Sequence, residues 1–170
     1  MLKINFYTDS EEDEIQNAAK VYQAIWNKEG EQIVKTIKNH TNLSFLGNEL
    51  EALVYNGRPR SLPLSFSYKY KSTGKRASMI HELLHKLFYD NKVDTNEVGQ
   101  DPLKSHKILD LVLYDIWESA YNKEFADFAL GIEKSYNQLF YNEAWDWALS
   151  MTKEERAAEF KKLVERSKRA

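Results

Sequence analysis

The chain predicts an α+β fold: a small mixed or antiparallel sheet in its front half, one apolar helix carrying a His-Glu-x-x-His pattern, and a helical C-terminal half. Three observations lead there. Segments alternating apolar and polar residues, such as "LKINFYT" and "LPLSFSYKY", fall before residue 71. From Ser78 onward the apolar residues repeat every three or four positions. A proline and glycine turn, "NGRPR" at 56–60, separates two of the strand-like runs.

The elements follow in order. Leu2, Ile4 and Phe6 share one face of a first strand. Asp9 or Ser10 is placed to cap the next helix, and "EEDE" sets acid against its positive end. Ile15, Ala18, Ala19, Tyr22, Ile25 and Trp26 then repeat at helical spacing, with Gly30 positioned to interrupt the helix before Ile33 and Ile37 continue it. "ALVY" and residues 62–70 read as strands, the second with Leu62, Leu64, Phe66, Tyr68 and Tyr70 on one face. Pro63 places that strand at an edge, because proline cannot donate to a ladder on both sides. A helix at 79–89 leads into the polar loop "DNKVDTNEVGQDP", and four helical segments complete the chain. Thr152 and Glu155 form a capping box for the last of them.

Composition narrows the function classes. Apolar residues make up 42% of 170 and aromatics 13%, which supports a packed core rather than a disordered chain. A net charge of −2 gives no general attraction to nucleic acid or anionic membrane, so neither is an expected partner. "KKLVERSKRA" is basic but interrupted by acid, and reads as a solvated helix end. The absence of cysteine rules out disulfides and thiolate ligands and suits a reducing compartment. No apolar run at the N-terminus resembles a secretory signal, and the expected location is cytoplasmic. The oligomeric state is not legible.

The chemistry lies in "MIHELLHKLF", residues 79–88. Positions four apart on a helix stack on one face, so His81 and His85 can offer two imidazoles to one metal ion. Glu82 lies about 100° around the helix, where it can reach a water on that ion without binding the ion. That is the geometry of zinc-assisted hydrolysis: two ligands and a general base within one turn. An amphipathic core helix with histidines at its border is the plainer alternative. Against it stand the apolar platform and the fact that three of the four histidines fall between 81 and 106.

A catalytic zinc usually takes three protein ligands. The extended form HExxHxxGxxH is absent, since Phe88 stands where its glycine would be and Asn91 where its histidine would be. The next helix offers His106, Asp110, Asp115 and Glu118. Its apolar stripe is Leu109, Val112, Leu113 and Ile116, with Trp117 at the border on the side of His106 and Asp110. His106 is the expected third ligand, with Asp110 or Glu118 as the alternatives. Asp110 is expected to accept the second ring proton of a zinc-bound histidine.

With these residues, the chain resembles a zincin-type zinc metallopeptidase of minimal size. His81, Glu82 and His85 match that family's signature. "HKILD", His106 to Asp110, is similar to the gluzincin pattern of a glutamate ligand followed by aspartate four residues later, with histidine in place of glutamate. The segment from Ser105 to Asp127 also resembles small bacterial HExxH proteins. The resemblance covers roughly residues 60–120. It implies a catalytic domain over residues 1–122 with residues 123–170 as a helical extension packed on it, one Zn2+ per chain, Glu82 as general base, and a peptide or unfolded segment as substrate. It also implies that the guest chain pairs with strand 62–70, placing Phe66, Tyr68 and Tyr70 against the substrate. A different function class is a non-catalytic interaction protein on a zinc-stabilised or zincin-like fold.

Overall fold

A computed structural model describes residues 2–93, 101–136 and 138–168. Strand β1 (Lys3–Tyr7) leads into the long helix α1 (Asp13–Thr41), then β2 (Glu49–Tyr55), β3 (Arg60–Ser61) and β4 (Leu64–Ser67). Five helices follow: α2 (Ser72–Asp90), α3 (Pro102–Ala120), α4 (Lys123–Ser135), α5 (Leu139–Leu149) and α6 (Lys153–Ser167). The sheet is mixed, in the order β1-β2-β4-β3. β1, β2 and β4 run parallel and β3 runs antiparallel to β4. The fold is thus α+β with a small sheet and a helical C-terminal half. Among the described residues no helix is long and apolar enough to cross a membrane.

Leu2, Ile4 and Phe6 share the inner face as expected, and Phe6 stacks on Tyr22 of α1. α1 runs unbroken through Gly30. A Cβ at that position would stand 2.8 Å from the Trp26 ring, so the glycine admits the indole rather than ending the helix. The start of α1 falls later than expected. Ser10 accepts from the Glu12 backbone N–H in a local turn, and the helix begins at Asp13 without a side-chain cap. α2 begins earlier than expected, at Ser72, because its first turns are polar and carry no apolar period. Lys75 nonetheless buries there, donating to the Tyr68 carbonyl at 2.8 Å and lying over the Tyr22 ring.

The strand expected at 62–70 is shorter and differently placed. β4 covers only Leu64–Ser67, all four residues are buried, and it pairs with β2 on one side and β3 on the other. The outer edge on this side therefore belongs to β3, which covers β4 at Leu64 and Ser65. Pro63 sits in the two-residue connection between β3 and β4, where no ladder N–H is required. Alternation misled because Phe66 packs inward against Tyr22 and Phe6, while Ser65 and Ser67 are buried too. Residues 94–100 of the expected polar loop lie outside the described residues.

The C-terminal helices share one hydrophobic core with the front half. α4, α5 and α6 all pack on α3. Trp117 and Trp145 stack at a centroid distance of 5.9 Å and are fully buried, whereas Trp147 and Tyr136 are exposed. α6 is tied down by its capping box and by a buried ion pair. Arg156 Nη2 donates to Asp115 Oδ1 at 2.8 Å, its Nε donates to Oδ2 at 3.1 Å, and Nη1 donates to the Met151 carbonyl. Removing one member strands a charge in the interior. Arg156→Ala should lower unfolding free energy by about 3–5 kcal/mol in urea titrations, while the double change Arg156→Leu with Asp115→Leu recovers most of it. Equal losses in the single and double variants would contradict this account.

Candidate metal centre

Three helices build the site. α2 turns its apolar residues Met79, Ile80, Leu83, Leu84, Leu87 and Phe88 into the core, and that packing fixes the register of His81, Glu82 and His85. α3 lies against α2 and brings His106 over the pair. The ring centroids of His81 and His85 are 4.8 Å apart, of His85 and His106 5.0 Å, and of His81 and His106 5.4 Å. One ring nitrogen from each lies within 4.8 Å of the other two. The three histidines expected as ligands are thus brought together. Of the alternatives for the third position, Glu118 faces Lys153 at 3.5 Å and Asp110 is buried outside the cluster; Asp115, on the same helix, is engaged by Arg156.

The ring nitrogens have distinct partners. His106 Nδ1 lies 2.7 Å from the Pro102 carbonyl in its own first turn. A carbonyl only accepts, so Nδ1 carries a proton; in the neutral ring this is the tautomer that leaves the Nε2 lone pair, the one a metal requires. Pro102 is held in place by Asp101, whose side chain caps α3 by accepting from the Lys104 N–H at 3.0 Å. At His81, Nδ1 donates to Glu133 Oε1 at 2.5 Å, again leaving Nε2 for an ion. Glu133 comes from α4, and its other oxygen accepts from the Trp145 indole N–H at 2.9 Å.

Asp110 does not take the part expected of it. It is fully buried, and neither oxygen has a hydrogen-bond partner among the described residues. The ring proton it was to accept goes to Glu133 at His81 and to Pro102 at His106. Burial pushes the Asp110 carboxyl well up, the nearby Glu133 charge adds to this, and Lys134 opposes it. Phe66, expected to touch substrate, is wholly buried against Tyr22, and Tyr68 is half-buried against the core. Tyr70 does reach the site.

A cavity of about 120 Å3 opens beside His81. His81, Glu82, Glu133, Tyr70, Tyr136 and Tyr141 contribute to its wall. The Tyr70 and Tyr136 hydroxyls meet at 2.7 Å, and the Tyr141 ring lies 4.4 Å from that of His106. Glu133 and Tyr141 were not singled out in the sequence. Both lie on C-terminal helices whose route past α2 no local pattern encodes, although a glutamate inside the apolar run "FALGIEKSY" is a faint signal.

The electrostatics are coupled. Burial pushes the Glu82 carboxyl up to about 7, His81 opposes, and Glu133 adds to the rise. Burial alone would lower His81, but the Glu133 charge and hydrogen bond, with help from Glu82, hold it up at about 9. Burial and the two neighbouring imidazoles keep His85 well below its ordinary value, hence neutral. Three imidazoles, two with Nε2 oriented outward by a partner on Nδ1, fit a divalent ion such as zinc.

Comparison with protein families, curated proteins and solved structures gives no match. The chemistry of these residues therefore carries the functional argument.

Two measurements probe this arrangement. Glu133→Gln should weaken Zn2+ binding about 10–100-fold in chelator competition, whereas Asp110→Asn changes it little. The opposite ranking would restore Asp110 to the supporting role. In the metal-free chain His81 holds a proton below about 9, and an ion must displace it. Zn2+ affinity should therefore fall with falling pH, by about tenfold per unit where one proton is displaced. Calorimetry in buffers of different ionisation enthalpy should show that proton leaving.

Proposed function

We propose that the chain is a zinc-dependent hydrolase, a metallopeptidase in which His81, His85 and His106 hold the ion and Glu82 is the general base. The observation that carries this is the convergence of three imidazoles, one of which, His81, shares the wall of a cavity with Glu82. Bound zinc would supply a water of lowered pKa and a Lewis acid for the scissile carbonyl.

The chain's own residues do the rest. Glu82 is buried, and its carboxyl is held near neutrality rather than in the usual acidic range. A base of that strength can take a proton from water and return it to a leaving amine at the same pH. Glu133 keeps the His81 ring in one orientation and one tautomer. Tyr141 borders the cavity, and burial raises its phenol, so it stays protonated and can donate to a developing oxyanion. The substrate approaches past Arg58 and Pro59, next to the β3 edge, rather than along β4.

Glu82→Gln should retain Zn2+ but lose peptide hydrolysis by several orders of magnitude, because both proton transfers depend on the carboxylate. His106→Ala should lose the ion as well as the activity. A Glu82→Gln protein with full turnover would exclude the mechanism. If the wild type binds Zn2+ tightly, gains stability from it and cleaves no peptide, the ion is structural and the chain is a zinc-stabilised interaction protein instead.

A further inference from the structure

Arg58 is the sole lysine or arginine among the described residues that line the cavity. Its carrier loop is stiff. The Tyr55 hydroxyl donates to the Arg58 carbonyl at 2.5 Å. Gly57 passes so close beneath the Tyr55 ring that a Cβ there would stand 2.2 Å from it, and Pro59 restricts Arg58 to extended backbone. These contacts hold the Arg58 backbone at the cavity mouth, while its side chain stays exposed to solvent.

The guanidinium is also uncommitted. No carboxylate among the described residues forms an ion pair with it, although Arg76, Arg156 and several lysines each have one. Glu133 is occupied by His81 and Trp145. Arg58 and Tyr70 line the same cavity; burial raises the Tyr70 phenol, its hydrogen bond with Tyr136 opposes this, Glu82 and Glu133 add to it, and the Arg58 charge opposes it least. The rest of the wall carries no charge: Gly74, Ala77, Ala129 and Ile132 are small or apolar, and Ser78 and Gln138 are neutral polar groups. A cavity of about 120 Å3 receives one small group, not a long stretch of chain.

We infer that the cavity selects a substrate bearing a carboxylate, which Arg58 grips in a bidentate pair. A planar guanidinium with five donors matches that group in shape as well as charge. The carboxylate is either an acidic side chain or the C-terminus of a peptide. The inference rests on the cavity being the substrate site of the proposed hydrolase.

Binding without turnover separates the two ideas. The Zn2+-loaded Glu82→Gln protein is titrated with three peptides: acetyl-Ala-Ala-Gln-Ala-amide, the same with Glu for Gln, and the Gln peptide with a free C-terminal carboxylate. One carboxylate peptide should bind at least about tenfold more tightly than the neutral one, and which one does so identifies the source. Adding Arg58→Ala should abolish the difference, and Arg58→Lys should keep part of it. Equal affinities, a preference that survives Arg58→Ala, or no binding of any of the three would overturn the inference. Wild-type protein that shows the Arg58-dependent preference yet cleaves nothing leaves the carboxylate site standing and removes the hydrolase. Cleavage without any charge preference does the reverse.

Discussion

The buried pair of His81 and Glu133 is the constraint on which the site depends. A carboxylate this deep must be paired and hydrogen-bonded, and both of its oxygens are engaged, one by an imidazole of α2 and one by the Trp145 indole of α5. One side chain of α4 thus links three helices. It also sets which nitrogen of His81 faces the other two imidazoles. The position of the helical C-terminal half and the chemistry of the histidines are therefore a single problem: α4 cannot shift without freeing a buried charge. The C-terminal helices complete the site rather than merely covering it.

Around that link the molecule is held by ordinary packing. From Ala77 to Phe88 α2 is largely buried because it packs against the sheet and α3, and that packing holds two imidazoles and a carboxylate in a fixed register. The same burial generates the unusual acidities. Glu82 and Asp110 are both pushed up by loss of solvent, but Glu82 borders a cavity and Asp110 does not. Asp110 is the more deeply buried of the two and is pushed well up as an interior group, whereas Glu82 is raised only to about 7. The Asp115 and Arg156 pair anchors α6 to the far flank of α3, so α3 is clamped on both sides of His106.

What the sequence makes legible follows the range of each interaction. His81, Glu82 and His85 lie within one turn, so spacing alone places them. His106 sits on the next amphipathic helix, and the stripe Leu109, Val112, Leu113 and Ile116 orients that helix toward the core. The capping box of α6 is local in the same way. Glu133 and Tyr141 escape because their relevance depends on where α4 and α5 cross α2 and α3, and tertiary packing decides that. Residues 62–70 show the opposite error. Alternation is a half-buried strand's signature, yet serines are small enough to be buried on the other face, and Leu64–Ser67 became an inner strand. The spacing of His106 and Asp110 pointed to a supporting aspartate, but the carbonyl one turn back on its own helix is the nearer acceptor for His106.

The charges around the centre form a consistent set. In the metal-free chain the His81 imidazolium offsets Glu133, His85 is neutral, and Glu82 is poised between its two forms. Exchange of the His81 proton for a dication leaves one net positive charge more beside Glu82. Glu82 is held up by burial and by Glu133, and an added positive charge opposes both, so its carboxylate form is favoured when the ion is in place. Glu82 is thus partly neutral without the ion, and a bound ion would make its charge tolerable. A carboxyl permanently ionised at that depth would oppose folding, and one permanently neutral could not take a proton. Burial of Glu82 beside the His81 charge places its carboxyl between those extremes.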